Sequence, residues 1–234
     1  MIDIYGRKDP RQIPIYTAKN AARYLNIPYA TIRSWTVGYK YPITDGQRKF
    51  LPPIEVEAKN PLRLTFTNLI EIHILRAIRQ KHKINLRSIR TALDYLKEKL
   101  NISHPLASQV FQTDGIDLFI NYYGDLINVS KQGQMTLKDS LETHLNRIEP
   151  DDSGLAIKLY PFTRNDEKDN PRIVVIDPRI AFGRATIAET GIATDVIAER
   201  FYAGDSPEEI AKDYECEVEA ITEAIRCETR PIAA

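Results

Sequence analysis

One short segment, YATIRSW at residues 29–35, carries side chains that could recognise a nucleic acid. Arg33 can donate two parallel hydrogen bonds to O6 and N7 of a guanine, and Thr31 can reach a base edge or a phosphate. At a helical spacing, Ile32 and Trp35 face inward and leave the polar side chains outward. The chemistry indicated is hydrogen bonding to groups exposed in a DNA groove.

Cationic residues follow on a predicted hairpin, GYKYPITDGQRKF. Asp45-Gly46 is the dipeptide typical of its two-residue turn. Lys40, Arg48 and Lys49 are interleaved there with three aromatic residues. Cations on such a hairpin neutralise phosphates and release counterions, so the hairpin could grip the DNA backbone beside a reading helix. A solvated basic loop is the alternative interpretation.

The charges are segregated along the 234 residues, although the net charge is zero. Residues 1–100 hold 19 Lys and Arg against 8 Asp and Glu. Residues 101–170 hold 6 against 11, and residues 171–234 hold 7 against 13. This pattern predicts a basic part that meets a polyanion and an acidic part that meets another kind of partner.

The composition argues against several other classes of protein. No apolar run approaches the length of a membrane span, and the N-terminal MIDIYGRKDPRQIPIY has no apolar core behind its charges. We therefore expect neither a membrane protein nor a signal peptide. Two cysteines, Cys216 and Cys227, cannot build a disulfide framework, so a reduced cytoplasmic setting is predicted.

Catalytic chemistry has little support in the sequence. The four histidines are scattered without zinc-ligand spacing, and no phosphate-binding glycine loop or nucleophile motif is present. Asp114, Asp117 and Asp125 could hold a metal if they met at a hairpin, but aspartates there more often form turns. We predict a protein that is not an enzyme, with no catalytic residue, metal or cofactor.

The elements that must position these residues predict an α+β fold in three parts. In residues 1–100, Thr17 caps a helix that ends at Asn26-Ile27-Pro28, because the residue before proline disfavours the helical region. The second short helix, the hairpin, a strand at RLTF, a helix capped by Thr67 and a further amphipathic helix follow. The first two helices have helix-turn-helix spacing, although unrelated folds use the same spacing only to pack a core.

The central part, residues 101–170, is predicted as a mixture of hairpin and helix. The segment GIDLFINYYGDLINVSKQG alternates around Tyr123-Gly124-Asp125 and indicates a hairpin, and a helix is expected over residues 137–148. LAIKLYPF is a further strand candidate. Aromatic residues of this part could line a small-molecule pocket or fill a core, and a core is favoured: Phe111, Phe119, Tyr122, Tyr123 and Tyr160.

The last part, residues 171–234, is predicted as a β hairpin followed by three short helices. The two strands are broken at Asp177-Pro178. Thr194 is the expected cap of the first helix, and Ser206 caps the second, with proline at its first position. The third helix is expected over residues 218–227.

The N-terminal part resembles a MerR-type winged helix-turn-helix domain over roughly residues 15–100. The similarity rests on TAKNAARYLNIPYATIRSWTVG and on RLTFTNLIEIHILRAIRQKHKINLRSIRTALDYL. The wing is longer than usual, and no long dimerisation helix follows Leu100. The resemblance implies a homodimer that binds double-stranded DNA. The residues that match the family's DNA contacts are Thr17, Tyr29, Thr31, Arg33, Lys40 and Arg48. Lys49, on the same hairpin as Lys40 and Arg48, is a further predicted contact.

The C-terminal part resembles a small helix-turn-helix-like antitoxin domain. DVIAERFYAGDSPEEIAKDY carries the pattern D-V-I-x6-G-x-S-x-E-E-I-x3-Y, although AETGIA stands where a Gly-Thr-Arg-Ile turn is usual. Together the two resemblances imply a VapB-type antitoxin of a type II toxin–antitoxin system. Such a protein binds and neutralises a PIN-like ribonuclease toxin and represses its own operon.

The acidic C-terminal part is the predicted toxin-binding part. Glu217, Glu219 and Glu223 could cover a basic RNA-binding groove, and Arg179 and Arg184 could enter a carboxylate cluster. Two alternatives stay open. One is a ligand-responsive MerR-like regulator with a central small-molecule pocket, and the other is an adaptor whose basic part never meets DNA.

Overall fold

The computed structural model describes residues 8–80, 86–127 and 130–229. Eight strands and nine α-helices lie in these ranges. In chain order they are β1 (Tyr16–Thr17), α1 (Ala18–Leu25), α2 (Tyr29–Thr36), β2 (Tyr39–Ile43), β3 (Gly46–Phe50), β4 (Arg63–Leu64), α3 (Phe66–Gln80), α4 (Leu86–Leu100), α5 (Ile116–Ile127), α6 (Lys131–Leu145), β5 (Ile148–Pro150), β6 (Ala156–Leu159), β7 (Val174–Ile176), β8 (Ala185–Ile187), α7 (Thr194–Ala203), α8 (Pro207–Asp213) and α9 (Val218–Thr229). Because helices and small sheets both occur, the predicted α+β class is confirmed at the level of secondary-structure content.

The first two helices form the predicted pair. Thr17 caps α1 through a reciprocal pair of hydrogen bonds with Asn20, so the predicted cap is confirmed. Asn26 ends α1 in the left-handed conformation, at φ 49°. Ala21 and Ala22 are fully buried and let α2 pack closely against α1. The three-residue turn between the helices is thus fixed at both ends.

The strands β2 and β3 form the predicted hairpin directly after α2. Gly38 lies at φ 76°, and a Cβ there would lie 2.2 Å from Phe50 O, so only glycine fits at the base of the hairpin. Ile54 N donates to Trp35 O at 3.1 Å and ties the returning chain to α2. The turn itself is Thr44-Asp45, one residue before the predicted one, since Ile43 pairs with Gly46.

Helix α3 is buried on nearly all sides and contacts α1, α6, β4 and β6. Its cap is Thr65, whose Oγ1 accepts from Asn68 N at 3.1 Å while Asn68 Oδ1 accepts from Thr65 N at 3.2 Å. The cap predicted at Thr67 is therefore wrong by two residues. The Thr67 hydroxyl instead accepts a hydrogen bond from Gln12 Nε2 at 3.0 Å.

The hairpin predicted around Tyr123-Gly124-Asp125 is wrong, because this segment forms α5. Its buried apolar residues recur at helical spacing, namely Ile116, Phe119, Ile120 and Tyr123. The next helix, α6, begins at Lys131 rather than at 137, because Ser130 Oγ accepts from Gly133 N and caps it. It ends at Leu145, before β5 begins.

Four antiparallel strands form one sheet in the order β5-β6-β7-β8. The strand pair predicted on either side of Asp177-Pro178 is confirmed as β7 and β8. The boundary expected between residues 170 and 171 lies within this sheet, on the connection from β6 to β7. One apolar core cluster extends from Tyr16 in β1 to Cys227 in α9.

The three predicted C-terminal helices are confirmed as α7, α8 and α9. Thr194 is the first residue of α7 and not its cap; its hydroxyl donates to Glu228 Oε1 at 2.6 Å. Ser206 caps α8 as predicted. A smaller apolar cluster joins these helices to β8. Within the described part of the chain, no helix is long and apolar enough to cross a membrane.

Candidate nucleic-acid interface

Helix α2 presents the predicted reading surface. Ile32 and Trp35 are buried, as expected, and fix the rotation of the helix against α1. Tyr29 and Arg33 lie on the exposed side. The Arg33 guanidinium carbon lies 6.0 Å from the centre of the Tyr29 ring, one helical turn earlier. This contact helps to orient the guanidinium of the exposed Arg33 side chain.

Two other predicted contacts are less open. Thr31 is half-buried and lines a shallow hollow together with Trp35 and Arg79. The Thr17 hydroxyl bonds to Asn20 and is used in capping α1. The Thr17 side chain is therefore used to fix the start of α1, the first helix of the pair.

The hairpin β2–β3 forms an exposed wing. Lys40 lies directly opposite Lys49 in the antiparallel pairing, and Tyr41 lies opposite Arg48. Lys40, Arg48 and Lys49 are all exposed. Like charges on directly opposite residues destabilise a strand pair. An anion between Lys40 and Lys49 would remove that repulsion, so the wing suits a phosphate.

A cleft of about 200 Å³ separates the wing from the start of α4. Arg48 and Lys49 line one wall, and Arg87 and Arg90 line the other. The sequence reasoning missed the two α4 arginines. A signal was available, because Arg87 and Arg90 lie three residues apart and are therefore neighbours on the surface of α4.

The predicted toxin-binding glutamates, which lie on α9 and directly before it, divide into two kinds. Glu217 and Glu219 are exposed, and Glu219 pairs with Arg164 at 2.7 Å. Glu223 is fully buried and accepts hydrogen bonds from Thr163, Arg164 and Arg226. Burial acts to raise the pKa of Glu223, but these hydrogen bonds outweigh it, and the pKa lies below its usual value. The prediction that Glu223 faces a partner is corrected: Glu223 joins α9 to the loop between β6 and β7.

Arg179 and Arg184 lie on the connection between β7 and β8. Arg179 Nη2 lies 2.6 Å from Asp177 Oδ2, and Arg184 Nη1 lies 3.2 Å from Asp195 Oδ2. Both arginine side chains are about half exposed. Each guanidinium is held by a carboxylate of its own chain while part of it faces solvent.

Of the aromatic residues considered for a pocket, Tyr122 is half-buried and the other four, including Tyr160, are buried. Phe111, Phe119 and Tyr123 are fully buried, and the Phe119 and Tyr123 rings stack at 5.3 Å. Tyr122 stacks on Tyr95 at 4.1 Å. Phe111, Phe119 and Tyr123 thus fill the core, as favoured from the sequence.

The aspartates considered for a metal lie apart from one another along helical turns. Asp117 and Asp125 are exposed on α5, and Asp117 pairs with Lys138 at 2.8 Å. Asp114 is exposed two residues before α5 begins. Among residues 8–80, 86–127 and 130–229, no group of three or more Asp, Glu, His or Cys is placed to hold a metal ion.

Comparison with known families agrees with this geometry at the N-terminus. Residues 14–93 match the family described as "Putative DNA-binding HTH domain", and residues 174–226 match "Protein of unknown function (DUF433)". The first match spans α1, α2, the wing, α3 and the first half of α4. The match and the packing of α1 on α2 define an N-terminal helix-turn-helix domain.

Individual relatives resemble nearly the whole chain. It is 29% identical over 223 residues to "Putative antitoxin VapB45" of Mycobacterium tuberculosis (strain ATCC 25618 / H37Rv), covering 86% of this chain and 88% of that protein. It is 24% identical over 221 residues to "Uncharacterized protein Rv2308" of the same strain, covering 90% and 88%. The crystal structure of Rv2018 from Mycobacterium tuberculosis superposes with a TM-score of 0.68 at 23% identity, covering 91% of this chain and 98% of that one. This likeness shows a shared fold.

Proposed function

We propose that this chain binds double-stranded DNA in a sequence-dependent manner, with α2 in the major groove and the wing on the backbone. The observation that carries the proposal is the facing pair Lys40 and Lys49 on an exposed wing beside the exposed Arg33. Arg33 distinguishes guanine through its two donors, and the wing lysines bind phosphates. The exposed wing after the helix pair supports our proposal that this domain is a MerR-like winged reader.

The biological role that we propose is that of an antitoxin in a type II toxin–antitoxin system. The similarity to "Putative antitoxin VapB45" over most of both chains supports it. The chain neutralises a PIN-like ribonuclease toxin and represses its own operon in the cytoplasm. It acts as a homodimer, since helix-turn-helix readers usually recognise symmetric half-sites. It is not an enzyme and uses no metal or cofactor.

The C-terminal part is the proposed toxin-binding part. The exposed carboxylates of Glu217 and Glu219 suit the basic surface with which a ribonuclease binds RNA. Arg179 and Arg184 suit carboxylates on the same partner. The basic helix-turn-helix and the acidic C-terminal helices thereby divide the two tasks, DNA binding and inhibition, within one chain.

Fluorescence anisotropy with the DNA upstream of the gene for this chain tests the proposal of sequence-dependent DNA binding. The upstream duplex and a scrambled duplex of equal length are titrated across a salt series. We expect tighter binding to the upstream duplex and affinity that falls steeply as salt rises. Equal, weak binding to both duplexes would overturn sequence-dependent binding and leave only charge attraction.

Inhibition is tested separately with the product of the gene adjacent to the gene for this chain, which the proposal requires to be a PIN-like ribonuclease. Cleavage of a labelled RNA by the purified ribonuclease is measured as this protein is added. We expect complete inhibition near equimolar protein and no inhibition by the same protein after heat denaturation. Undiminished cleavage at a tenfold excess would contradict the antitoxin role while leaving DNA binding untouched.

A further inference from the structure

The turn between β7 and β8 has an unusual backbone. Three consecutive residues have positive φ values: Ala181 at 48°, Phe182 at 55° and Gly183 at 74°. Glycine adopts this left-handed region readily, whereas a residue with a Cβ is strained there. Strain of this kind persists only where the surrounding structure fixes it, and it is concentrated at functional sites.

The base of the turn is held firmly. Gly183 N donates to Ile180 O at 2.8 Å, and Arg184 N donates to Ala181 O at 3.2 Å. A Cβ at Gly183 would lie 2.4 Å from the Tyr16 hydroxyl, so glycine is required where the turn packs against β1. The conformation at the tip is therefore imposed by the packing beneath it.

The tip presents a large apolar side chain to water. Phe182 is 68% exposed, and the preceding Ile180 is 42% exposed. Neither the strained backbone nor the exposed ring stabilises the isolated chain. Both would be explained if the ring entered a pocket on another molecule, because buried aromatic anchors carry much of the energy of protein interfaces.

The charges beside the ring indicate the character of that pocket. Arg179 and Arg184 flank Phe182, and their side chains are 51% and 48% exposed. Asp177 and Asp195 fix the two guanidinium groups in place. Ordered guanidinium groups bind carboxylates with little further loss of side-chain freedom. The complementary surface is an apolar pocket with carboxylates at its rim.

We propose that the turn over residues 179–184 is the anchor by which this chain holds the PIN-like ribonuclease. Phe182 enters an apolar pocket of the ribonuclease, and Arg179 and Arg184 pair with carboxylates around it. This inference rests on the proposed function, which supplies the ribonuclease as the partner. It gives the apolar ring, rather than the acidic side chains of α9, the largest share of the binding energy.

The test replaces Phe182 while keeping the turn. Asparagine tolerates the left-handed region, so Phe182→Asn removes the ring and retains the backbone. Met135→Gln is the matched control, since Met135 on α6 is also 68% exposed. Binding of the full-length proteins to the product of the adjacent gene, which the proposal requires to be the ribonuclease, is measured by isothermal titration calorimetry. We expect Phe182→Asn to weaken binding about 30-fold or more and Met135→Gln to leave it unchanged.

The melting temperature and the binding of upstream DNA are measured on the same samples. Phe182→Asn should melt at or above the wild-type temperature, because it relieves strain, and should bind DNA as the wild type does. If Phe182→Asn binds the ribonuclease as tightly as the wild type, the anchor is overturned and the antitoxin role stands. If the wild type fails to bind, both are overturned. If Phe182→Asn changes the oligomeric state instead of the affinity for the ribonuclease, the turn contacts a second copy of this chain. If it changes the affinity for DNA instead, the turn contacts DNA. Either result would also overturn the anchor.

Discussion

Arg23 in α1 and Glu228 in α9 form an ion pair that joins the helix-turn-helix to the C-terminal helices. Glu228 is only 4% exposed and also accepts the hydrogen bond from Thr194 at the start of α7. The first helix of the helix-turn-helix domain therefore packs directly on the part proposed to bind the toxin. The two proposed functions would therefore share one folded core.

Replacing Glu228 should weaken the whole fold. In Glu228→Ala, Arg23 and Thr194 lose a nearly buried acceptor, and the free energy of unfolding should fall by about 1–3 kcal/mol. Urea denaturation monitored by circular dichroism measures the change. Glu219→Ala is the control, because Glu219 is exposed on the same helix. Equal stability of the two variants would contradict a structural role for Glu228.

Removing one wing lysine should weaken DNA binding without harming the fold. In Lys49→Ala the repulsion with Lys40 disappears, so the melting temperature should stay the same or rise. Affinity should fall equally for the upstream and scrambled duplexes, and the logarithmic salt dependence should become shallower by about one. Lys131→Ala removes an exposed lysine from α6 and should change neither quantity. A loss of sequence preference in Lys49→Ala would show that the wing reads bases instead.

His104 should make stability depend on pH. The hydrogen bond between His104 Nδ1 and Glu71 Oε1, at 3.1 Å, raises the pKa of His104, partly opposed by burial and by Lys97. A raised pKa stabilises the fold below the unfolded-state pKa of about 6.5, and this contribution is lost as pH rises through the folded-state pKa. The carboxylate of Glu55, which pairs with Lys97, favours the charged imidazole as well.

The comparison with His104→Gln isolates this contribution. The difference in unfolding free energy between wild type and variant should be largest at about pH 6 and below and should shrink as pH rises. Subtracting the unfolding free energy of the variant from that of the wild type removes the effect of other titrating groups. These include His73, whose pKa is lowered by burial and by His144. Urea denaturation at several pH values provides the data. A difference that grows as pH rises would contradict the assignment.

Arg147 should be among the most sensitive positions for stability. It is 6% exposed, and its guanidinium donates to the carbonyl oxygens of Tyr160 at 2.9 Å and Asn170 at 2.8 Å. Burial lowers the pKa of Arg147 to about 10. Arg147→Met leaves these carbonyls without their donor and should cost about 3 kcal/mol or more. Arg172→Met, at a half-exposed arginine, is the control, and equal losses would contradict the prediction.

Local signals explain most of what the sequence predicted. The cap at Thr17, the proline after Ile27 and the apolar spacing of α3 and α4 each depend on a few adjacent residues. The segment of α5 was misread because its aromatic residues fit two periods and Gly124 suggested a turn. That glycine instead makes room for Gln134, since a Cβ there would lie 2.5 Å from Gln134 Nε2.

Features that depend on distant parts of the chain could not be read from the sequence. Glu223 has the spacing of a surface residue on α9, and its burial depends on Arg164, which lies 59 residues earlier. The cleft lined by Arg87 and Arg90 exists only because the wing folds back toward α4. Tertiary packing decided these sites, and local propensity carries no information about it.

The most direct test of the account is the sequence preference of Arg33→Ala. Anisotropy titrations give the ratio of dissociation constants for the scrambled and upstream duplexes, with Lys49→Ala measured in parallel. If α2 reads bases, the ratio should approach one in Arg33→Ala, a loss of about 1–3 kcal/mol of discrimination at each contacted guanine, and should persist in Lys49→Ala. An unchanged ratio in Arg33→Ala would contradict the claim that this helix reads DNA.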